Sequence, residues 1–251
     1  MGRTIIVGDV HGCASELQAL LDDVRFSAGD RLVFVGDLVA RGPSSLGVLD
    51  IARQTGAIIV RGNHEQKLLD WRRNKKTPIS RLHLDVAESL RAVDWTLLET
   101  SPLWVDLPEH SARVVHAGVV PGTPIEEQDP LDLLNMRTIR VGRVARLGRI
   151  HHGGDSRADD PNAVLWGELY GGPVHVIFGH NACPGLQLHP FATGLDTGCV
   201  YGGRLTAMVL PHGVKVPRSR SARQALLVSQ PAERVHFGTG ASSPARRRKV
   251  A

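Results

Sequence analysis

The sequence predicts an α/β domain with a parallel sheet, and three observations favour this class. The chain has 251 residues, of which 42% are hydrophobic and 22% charged, close to the average of folded globular proteins. Short β-branched runs recur, and each ends in polar residues. Stretches with helical spacing of leucines separate the first three runs, and such alternation is typical of parallel strands joined by right-handed crossovers.

Five apolar runs are predicted to form buried strands. They lie at residues 4–7, 32–35, 57–60, 113–115 and 174–178. Helices are predicted over 14–25 and 45–54, because three leucines and a valine share one helical face in the first and two leucines and an alanine share one in the second. Residues 65–110 then interrupt the strand rhythm with helical patterns, and we interpret them as a helical insert beside the sheet.

The second half of the chain is less regular. Residues 121–163 are rich in glycine, proline and charge, which predicts a flap that includes a helix near 130–147. Residues 204–210 and 214–216 flank a Pro-His-Gly turn and are predicted to form a closing hairpin.

Positive charge is concentrated near the end of the chain. The net charge is +5, yet eight arginines and lysines stand against Glu233 alone between 216 and 251. We therefore expect a catalytic domain over 1–216 and a basic, flexible tail over 217–251. This tail leaves nucleic-acid binding open as an alternative function, although the slightly acidic domain disfavours nucleic acid as a partner.

The sequence favours a cytoplasmic location. No apolar run approaches 18 residues, which disfavours a membrane span, and the first residues enter a strand rather than a signal peptide. The three cysteines form no CxxC pair and are expected to be reduced. The sequence contains no signal for the oligomeric state.

Residues of the types that commonly bind metal ions lie at the carboxyl ends of the predicted strands, where α/β sheets bind ligands. They are Asp9, His11, Asp37, Asn63, His64, His116 and His180. Carboxylates, imidazoles and an amide without thiolates suit Mn, Fe or Zn. So many candidates suit two ions better than one, and we expect the two oxygens of Asp37 to bridge them.

Five ordered motifs carry a resemblance to a known family. They read GDVHG at 8–12, GDLVARG at 36–42, GNHE at 62–65, HAG at 116–118 and GH at 179–180. Together they resemble the phosphoprotein-phosphatase type of metallophosphoesterase. The segments LVARGP at 38–43 and LDTGCVYGGRLTA at 195–207 are more similar to the bacterial symmetrical diadenosine tetraphosphatases.

The resemblance implies a fold and a set of metal ligands. The implied fold is a central β-sandwich flanked by helices, with the site at its mouth. Two divalent ions would share Asp37, with Mn²⁺ expected ahead of Fe, Zn or Co. The other implied ligands are Asp9 and His11 for the first ion, and Asn63, His116 and His180 for the second.

The same resemblance implies symmetrical hydrolysis of diadenosine tetraphosphate to two ADP, with a protein serine/threonine phosphatase as the alternative. Two Lewis acids at Asp37 would lower the pKa of a bridging water, which attacks phosphorus in line. Arg41 would grip a phosphate oxygen through its bidentate, always charged fork. His64 would protonate the leaving group.

One departure from the resemblance bears on the substrate. Many protein phosphatases of this family carry aspartate where Ala40 stands, and that aspartate orients the neighbouring histidine. A serine or threonine leaves as an alkoxide, closer to water with its pKa of about 15.7. A nucleoside diphosphate leaves as a phosphate whose relevant pKa is about 6. Ala40 therefore favours phosphoanhydride substrates, which need less help from an acid.

Further substrate contacts are predicted from a series of arginines at every third position. The series is Arg137, Arg140, Arg143, Arg146 and Arg149. Such a band suits a polyphosphate with several negative charges, and Arg137, Arg140 and Asn63 are the candidate contacts. Trp166, Tyr170 and Tyr201 are candidate adenine platforms, although core packing is the commoner role for scarce aromatic residues.

Overall fold

The computed structural model describes residues 2–141, 147–148, 163–182 and 185–238. Its strands are β1 (Thr4–Val7), β2 (Arg31–Phe34), β3 (Ile58–Ile59), β4 (Trp104–Leu107), β5 (Ala112–Val115), β6 (Thr138–Val141), β7 (Leu147–Gly148), β8 (Ala163–Leu165), β9 (His175–Phe178), β10 (Gln187–Leu188), β11 (Ala192–Gly194), β12 (Asp196–Thr197), β13 (Arg204–Leu210) and β14 (Leu227–Pro231). Its α-helices are α1 (Ala14–Asp23), α2 (Ser45–Gln54), α3 (Asn63–Arg73), α4 (Arg81–Ser89), α5 (Ala92–Thr100), α6 (Pro130–Asn135), α7 (Trp166–Leu169) and α8 (Arg220–Gln224). None of these helices is long and apolar enough to cross a lipid bilayer.

The first half of the chain follows the predicted alternation of strand and helix. β1 pairs with β2 and β2 with β3, both in parallel, and α1 and α2 form the crossovers. Leu17 and Leu20 of α1 and Leu49 of α2 are buried in the same cluster as Ile5 of β1. The leucine spacing that predicted these helices therefore marks the face that packs on the sheet.

Two sheets pack face to face as a β-sandwich, which confirms the predicted fold class. The first sheet has the order β12-β13-β1-β2-β3 with β14 also paired to β13, and the second has the order β10-β11-β9-β5-β4. Ile6 and Val33 of the first sheet are buried in one cluster with Val114 and Ile177 of the second. Because strands point alternate side chains to opposite faces, Ile5 and Ile6 serve different layers of the core.

The helix predicted near 130–147 is shorter than expected. α6 ends at Asn135, and the chain continues as β6, which pairs antiparallel with β7 and β8 in a third sheet. Thr138 and Ile139 are β-branched and favour a strand, and Ile139 is buried against the second sheet.

The predicted flap at 121–163 is wrong for its first part. Ile125 and Leu133 are buried in the cluster that covers the outer face of the second sheet, so this part belongs to the packed domain. The remainder of the predicted flap, at 142–146 and 149–162, lies outside the described residues.

The insert at 65–110 contains the predicted helices and one element that the periodicity did not indicate. α3, α4 and α5 cover most of it, and β4 then forms the edge of the second sheet by antiparallel pairing with β5, with Trp104 opposite Val115. Four residues are too short a run to reveal strand alternation without knowledge of the partner strand.

The prediction that 204–210 and 214–216 form a closing hairpin is also wrong. β13 forms as predicted, but its hairpin partner is β14, and Met208 lies opposite Leu227. β13 also pairs antiparallel with β1 on its other side.

The predicted domain boundary at 216 is therefore wrong, and 217–238 belong to the fold. Arg223 of α8 is fully buried, with Nη1 3.3 Å from Nε2 of His175. The basic composition of this segment suggested a flexible tail, although a short apolar run at 225–228 leads into β14. Residues 239–251, with the arginine run on which a nucleic-acid function depends, lie outside the described residues.

Candidate metal centre

The carboxyl ends of four strands bring the predicted ligands together. β1 and β2 of the first sheet lead to Asp9 and Asp37, and β5 and β9 of the second sheet lead to His116 and His180. The strand ends of both sheets thus meet at one mouth of the sandwich, where these side chains, His180 excepted, are buried.

Asp37 is the centre of this cluster. Its Oδ2 lies 3.5 Å from Nε2 of His11, and its Oδ1 lies 3.5 Å from Nε2 of His116. Asp37 forms two groups of candidate metal ligands, and within each group the ligand atoms lie within 4.8 Å of one another. One group contains His11 and His64, and the other contains His116 and His180. Asp37 belongs to both groups, so its carboxylate has the placement that a bridging ligand needs.

Asn63 and Asp9 complete the predicted set. Oδ1 of Asn63 lies 3.1 Å from Nε2 of His116 and 3.2 Å from Nδ1 of His180. The carboxylate of Asp9 accepts a hydrogen bond from the backbone N–H of His180, with 3.0 Å to each oxygen. All six predicted ligands therefore lie in one cluster.

Backbone carbonyls set the orientation of two imidazoles. Nδ1 of His116 lies 3.0 Å from the carbonyl oxygen of Val35, and Nδ1 of His11 lies 3.2 Å from that of Val39. Because a carbonyl can only accept, each Nδ1 carries the proton and donates. Each Nε2, which lies 3.5 Å from an oxygen of Asp37, then carries the lone pair that a metal-binding histidine requires.

The electrostatics of the cluster favour a bound cation. Burial raises the pKa of Asp37 and that of Asp196 to about 6, and burial and the neighbouring carboxylates raise the pKa of Asp9 well above its usual value. Burial also lowers the pKa of His116 to about 4, which keeps its ring neutral. Crowded carboxylates and neutral imidazoles are the donors that divalent metal ions prefer, so these residues fit a metal centre.

Backbone strain is concentrated at the same place. Among the described residues, five of the seven non-glycine positions with positive φ belong to this site: His11, Asp37, Ala40, Arg41 and His180. Two glycines permit the close approach of the strands. A Cβ on Gly62 would lie 2.3 Å from the backbone nitrogen of Asp37, and one on Gly179 would lie 1.9 Å from Oδ1 of Asp9.

Comparison with known proteins identifies the family. The profile of the Calcineurin-like phosphoesterase family matches residues 2–184, which is most of the chain. The chain belongs to this family. Two groups of candidate ligands that share Asp37 suit the dinuclear metal centres of calcineurin-like phosphoesterases.

Three relatives and one solved structure differ in their named activities. A symmetrical bis(5'-nucleosyl)-tetraphosphatase of Shewanella sediminis is 30% identical, over 85% of this chain and 97% of the relative. The asymmetrical bis(5'-nucleosyl)-tetraphosphatase PrpE of Halalkalibacterium halodurans is 31% identical, over 82% and 89%. Serine/threonine-protein phosphatase 1 of Salmonella typhimurium is 33% identical, over 80% and 88%. A crystal structure of a candidate diadenosine tetraphosphatase has a TM-score of 0.76 and 35% identity, over 92% of this chain and 94% of that one.

Glu65 supports the phosphoesterase centre in a way that the sequence did not indicate. Its fully buried carboxylate accepts hydrogen bonds of 2.9 Å from the backbone N–H groups of Asp37, Leu38 and Gly62. It therefore ties the loop after β2 to the start of α3. A glutamate at the third position of a helix is expected to accept hydrogen bonds from backbone N–H groups at the start of its own helix. The additional bonds from the loop after β2 form only because the fold brings that loop next to Glu65.

His64 lies at the start of α3, directly behind Asp37. Its backbone N–H donates to Oδ1 of Asp37 at 2.9 Å, and its Nε2 lies 4.0 Å from Oδ2 of that carboxylate. Nε2 is buried without a hydrogen-bond partner among the described residues. Nδ1 lies 3.0 Å from Nε2 of His83, a residue that no motif singled out.

Two of the predicted substrate-binding arginines reach a cavity beside the metal centre. The cavity measures about 480 Å³, and Arg41, Arg137, His180, Asp196 and Tyr201 are among the residues that line it. Nη1 of Arg41 donates to Nε2 of His11 at 2.9 Å, and its guanidinium lies 5.6 Å from the centre of the Tyr201 ring. Arg137 lies close to the backbone of His180, with Nη2 3.5 Å from its carbonyl oxygen.

The other candidate contacts have different locations. Arg140 is exposed on β6 and is not among the described residues that line the cavity. Arg143, Arg146 and Arg149 lie outside the described residues. Trp166 is buried against Phe178, as core packing predicts, whereas Tyr201 lines the cavity.

Proposed function

We propose that this phosphoesterase cleaves diadenosine tetraphosphate symmetrically into two molecules of ADP. The observation that carries the proposal is the cavity that adjoins the ligand cluster, with Arg41 and Arg137 both on its wall. A tetraphosphate bridge carries several negative charges, and two arginines from separate segments can hold more than one phosphate group.

The wall of this cavity supports the choice of a dinucleotide. Asp196, Thr197, Gly198, Tyr201 and Gly203 line it, and all five belong to the segment at 195–207 that resembles the symmetrical diadenosine tetraphosphatases. The relative from Shewanella sediminis bears that activity in its name.

The residues of this chain divide the chemical work. We propose that Asp9, His11, Asp37, Asn63, His116 and His180 hold two divalent ions. Such ions, with Mn²⁺ as the expected metal, act as Lewis acids on phosphate oxygens and lower the pKa of a nearby water. Arg41 binds an equatorial phosphate oxygen, and His64 donates a proton from Nε2 to the departing oxygen.

Product analysis tests the proposal directly. Metal-stripped protein supplied with Mn²⁺ and diadenosine tetraphosphate is expected to yield ADP alone on anion-exchange chromatography. Equal amounts of ATP and AMP would instead show asymmetrical cleavage, the activity named for the Halalkalibacterium halodurans relative. The absence of any nucleotide product would contradict the proposal.

A protein serine/threonine phosphatase is the second candidate, supported by the Salmonella typhimurium relative. Ala40 disfavours it, because a methyl group cannot accept a hydrogen bond and an alkoxide leaving group needs a strong acid. Turnover of a phosphoserine peptide at a higher kcat/KM than the dinucleotide would favour this candidate.

We also propose a cytoplasmic location for the reaction. The small number of cysteines, none of them in a CxxC pair, supports this location, because secreted proteins commonly use cysteines in disulfides.

A further inference from the structure

His83 is a buried histidine that the proposed reaction leaves without a role. It lies on α4, is 7% exposed, and stacks on His64 with 4.8 Å between ring centroids and 29° between ring planes. Its Nε2 lies 3.0 Å from Nδ1 of His64, which is a hydrogen-bond distance. The nitrogen of His64 that faces away from Asp37 therefore has an imidazole as its partner.

Ser80 provides a hydrogen-bond partner for the other ring nitrogen of His83. Ser80 is the N-cap of α4, and its Oγ accepts a hydrogen bond from the backbone N–H of His83. The same oxygen lies 2.7 Å from Nδ1 of His83. With the proton of His83 on Nδ1 and donated to Ser80, the lone pair on Nε2 is free to accept from His64.

The surroundings keep His83 able to accept. Burial, together with the positive charges of Lys67 and Arg41, lowers the pKa of His83 to about 4. A neutral ring at ordinary pH retains the lone pair on Nε2, whereas a protonated ring would place two donors against each other.

Ala40 cannot supply the acceptor that the family resemblance implies at its position. The resemblance implies that many protein phosphatases place an aspartate at this position to orient the histidine. Here the side chain is a buried methyl group that accepts no hydrogen bond. The neutral imidazole of His83, on α4, instead lies within hydrogen-bond distance of His64.

We propose that His83 is a positioning residue that accepts the Nδ1–H of His64 and so holds Nε2 of His64 ready to protonate the leaving group. This inference rests on the proposed function of His64 as the proton donor. As the P–O bond breaks, its electron pair stays on the departing oxygen, which takes the proton from Nε2. His64 is left neutral with its proton on Nδ1, still donated to His83.

The chemical consequence is a preference among leaving groups. A neutral acceptor stabilises a protonated imidazole less than a carboxylate does, because it supplies no opposing charge. A less stabilised imidazolium is a stronger acid, but a smaller fraction of the enzyme carries it, so the proton that a poor leaving group requires is present less often. The His83–His64 pair therefore favours substrates with good leaving groups, in agreement with a phosphoanhydride.

Two substitutions at one position form the test. His83→Phe keeps a ring of similar size and removes the acceptor, whereas His83→Gln keeps an acceptor oxygen. Each variant is assayed with p-nitrophenyl phosphate, which has a good leaving group, and with phenyl phosphate, whose phenol has a pKa of about 10.

We expect His83→Phe to lower kcat for phenyl phosphate about 10- to 100-fold, as loss of a supporting hydrogen bond does. The kcat for p-nitrophenyl phosphate should fall less than about threefold, and KM should not change for either substrate, because general-acid help matters least for a good leaving group. His83→Gln should recover most of the lost kcat. A merely structural role would lower the rates of both substrates equally, and that result would overturn the proposal.

A second readout does not depend on activity. In ¹⁵N spectra of the metal-stripped wild type, the neutral ring of His64 should carry its proton on Nδ1, and His83→Phe should shift the population toward the Nε2–H form. An unchanged population would contradict the proposal even if the variant were slow. Failure of the proposed function is distinguishable, because the aryl phosphates report on His64 whether or not the dinucleotide is a substrate.

Discussion

The metal centre and the cavity beside it are built in different ways. In the centre, Asp37 and His116 are buried at strand ends, where the backbone N–H of His64 and the carbonyl oxygen of Val35 hold their side chains in place. On the cavity wall, Arg41 and Arg137 reach in on long side chains from separate segments. The difference teaches that rigid strand ends position the candidate metal ligands, whereas side chains on the surrounding segments form the wall where we propose that the substrate binds.

Loss of the carboxylate that we propose as the bridging ligand should have the largest effect on activity. Asp37→Asn removes a charge that both ligand groups share, and several kcal/mol of stabilisation of the transition state correspond to a fall in kcat/KM of about 10³-fold. Steady-state kinetics with Mn²⁺ measures it, and Asp106→Asn on β4 is the matched control. A fall of less than tenfold would mean that Asp37 does not bridge.

Substitution on the cavity wall should be less damaging. Arg41→Lys keeps the charge and loses the planar fork, so kcat/KM for the dinucleotide should fall about 100-fold, as for loss of one strong donor to the transition state. Arg113→Lys, remote in the second sheet, should be neutral. Equal rates for both variants would remove Arg41 from the reaction.

Glu65 tests whether support of the centre matters as much as the ligands. In Glu65→Gln, an amide nitrogen would face backbone N–H groups that now donate to a carboxylate oxygen. Affinity for Mn²⁺ should fall about 10- to 100-fold, measured by calorimetry. Glu88→Gln, exposed on the same insert, provides the comparison, and indistinguishable affinities would refute the supporting role.

Arg137 and Arg140 allow the cavity wall to be compared with the exposed surface beside it, because Arg137 lines the cavity and Arg140 lies on the surface. Arg137→Glu should raise KM about fivefold for the longest dinucleoside polyphosphate and less for a monoester, since one screened charge contact is worth roughly 1 kcal/mol. Arg140→Glu should change KM little, because this residue lies off the cavity. A larger increase in KM for Arg140→Glu than for Arg137→Glu would indicate that the polyphosphate binds at the exposed surface of β6.

The smallest effect concerns stability of the metal-stripped protein. Burial raises the pKa of Asp37 to about 6 and that of Glu65 to about 7, so these two groups bind more protons in the folded state than in the unfolded state between about pH 4 and 7. Their contribution to stability is present at low pH and is lost as pH rises through this window. Buried histidines act in the opposite direction, because burial lowers the pKa of His83 and of His116 to about 4. The carboxyl contribution is therefore measured as a difference: the Tm of the metal-stripped wild type minus that of metal-stripped Glu65→Gln should fall between about pH 5 and 7.5, because the variant lacks one titrating carboxyl and keeps the histidines. Mn²⁺ should raise the Tm of the wild type most at the higher pH. A difference that does not change with pH would contradict the raised pKa of Glu65.

Local patterns predicted the part of the fold that is built from local interactions. The leucine faces of α1 and α2 and the apolar runs of β1 and β2 follow from residues close together in sequence, and the structure confirms them. β14, β4 and β6 are short strands whose formation depends on partners far along the chain. No periodicity within four or five residues reveals such a partner.

The candidate site shows the same limit. The motifs contained every residue of the ligand cluster around Asp37, because each ligand follows a strand with a recognisable apolar run. Glu65 and His83 were not singled out for their contacts with Asp37 and His64, since those contacts join residues about 20 to 30 positions apart. Arg137 and Arg140 were equivalent in sequence and are separated by the fold.

The sequence by itself determined the phosphoesterase family, the sandwich and the residue types that meet at its mouth, because strand ends and their polar residues are adjacent in the chain. Only the tertiary structure decided which groups hold these residues in place and which arginines face the cavity. Hydrogen bonds and burial depend on distances across the fold, and such distances are not encoded in the spacing of residues along the chain.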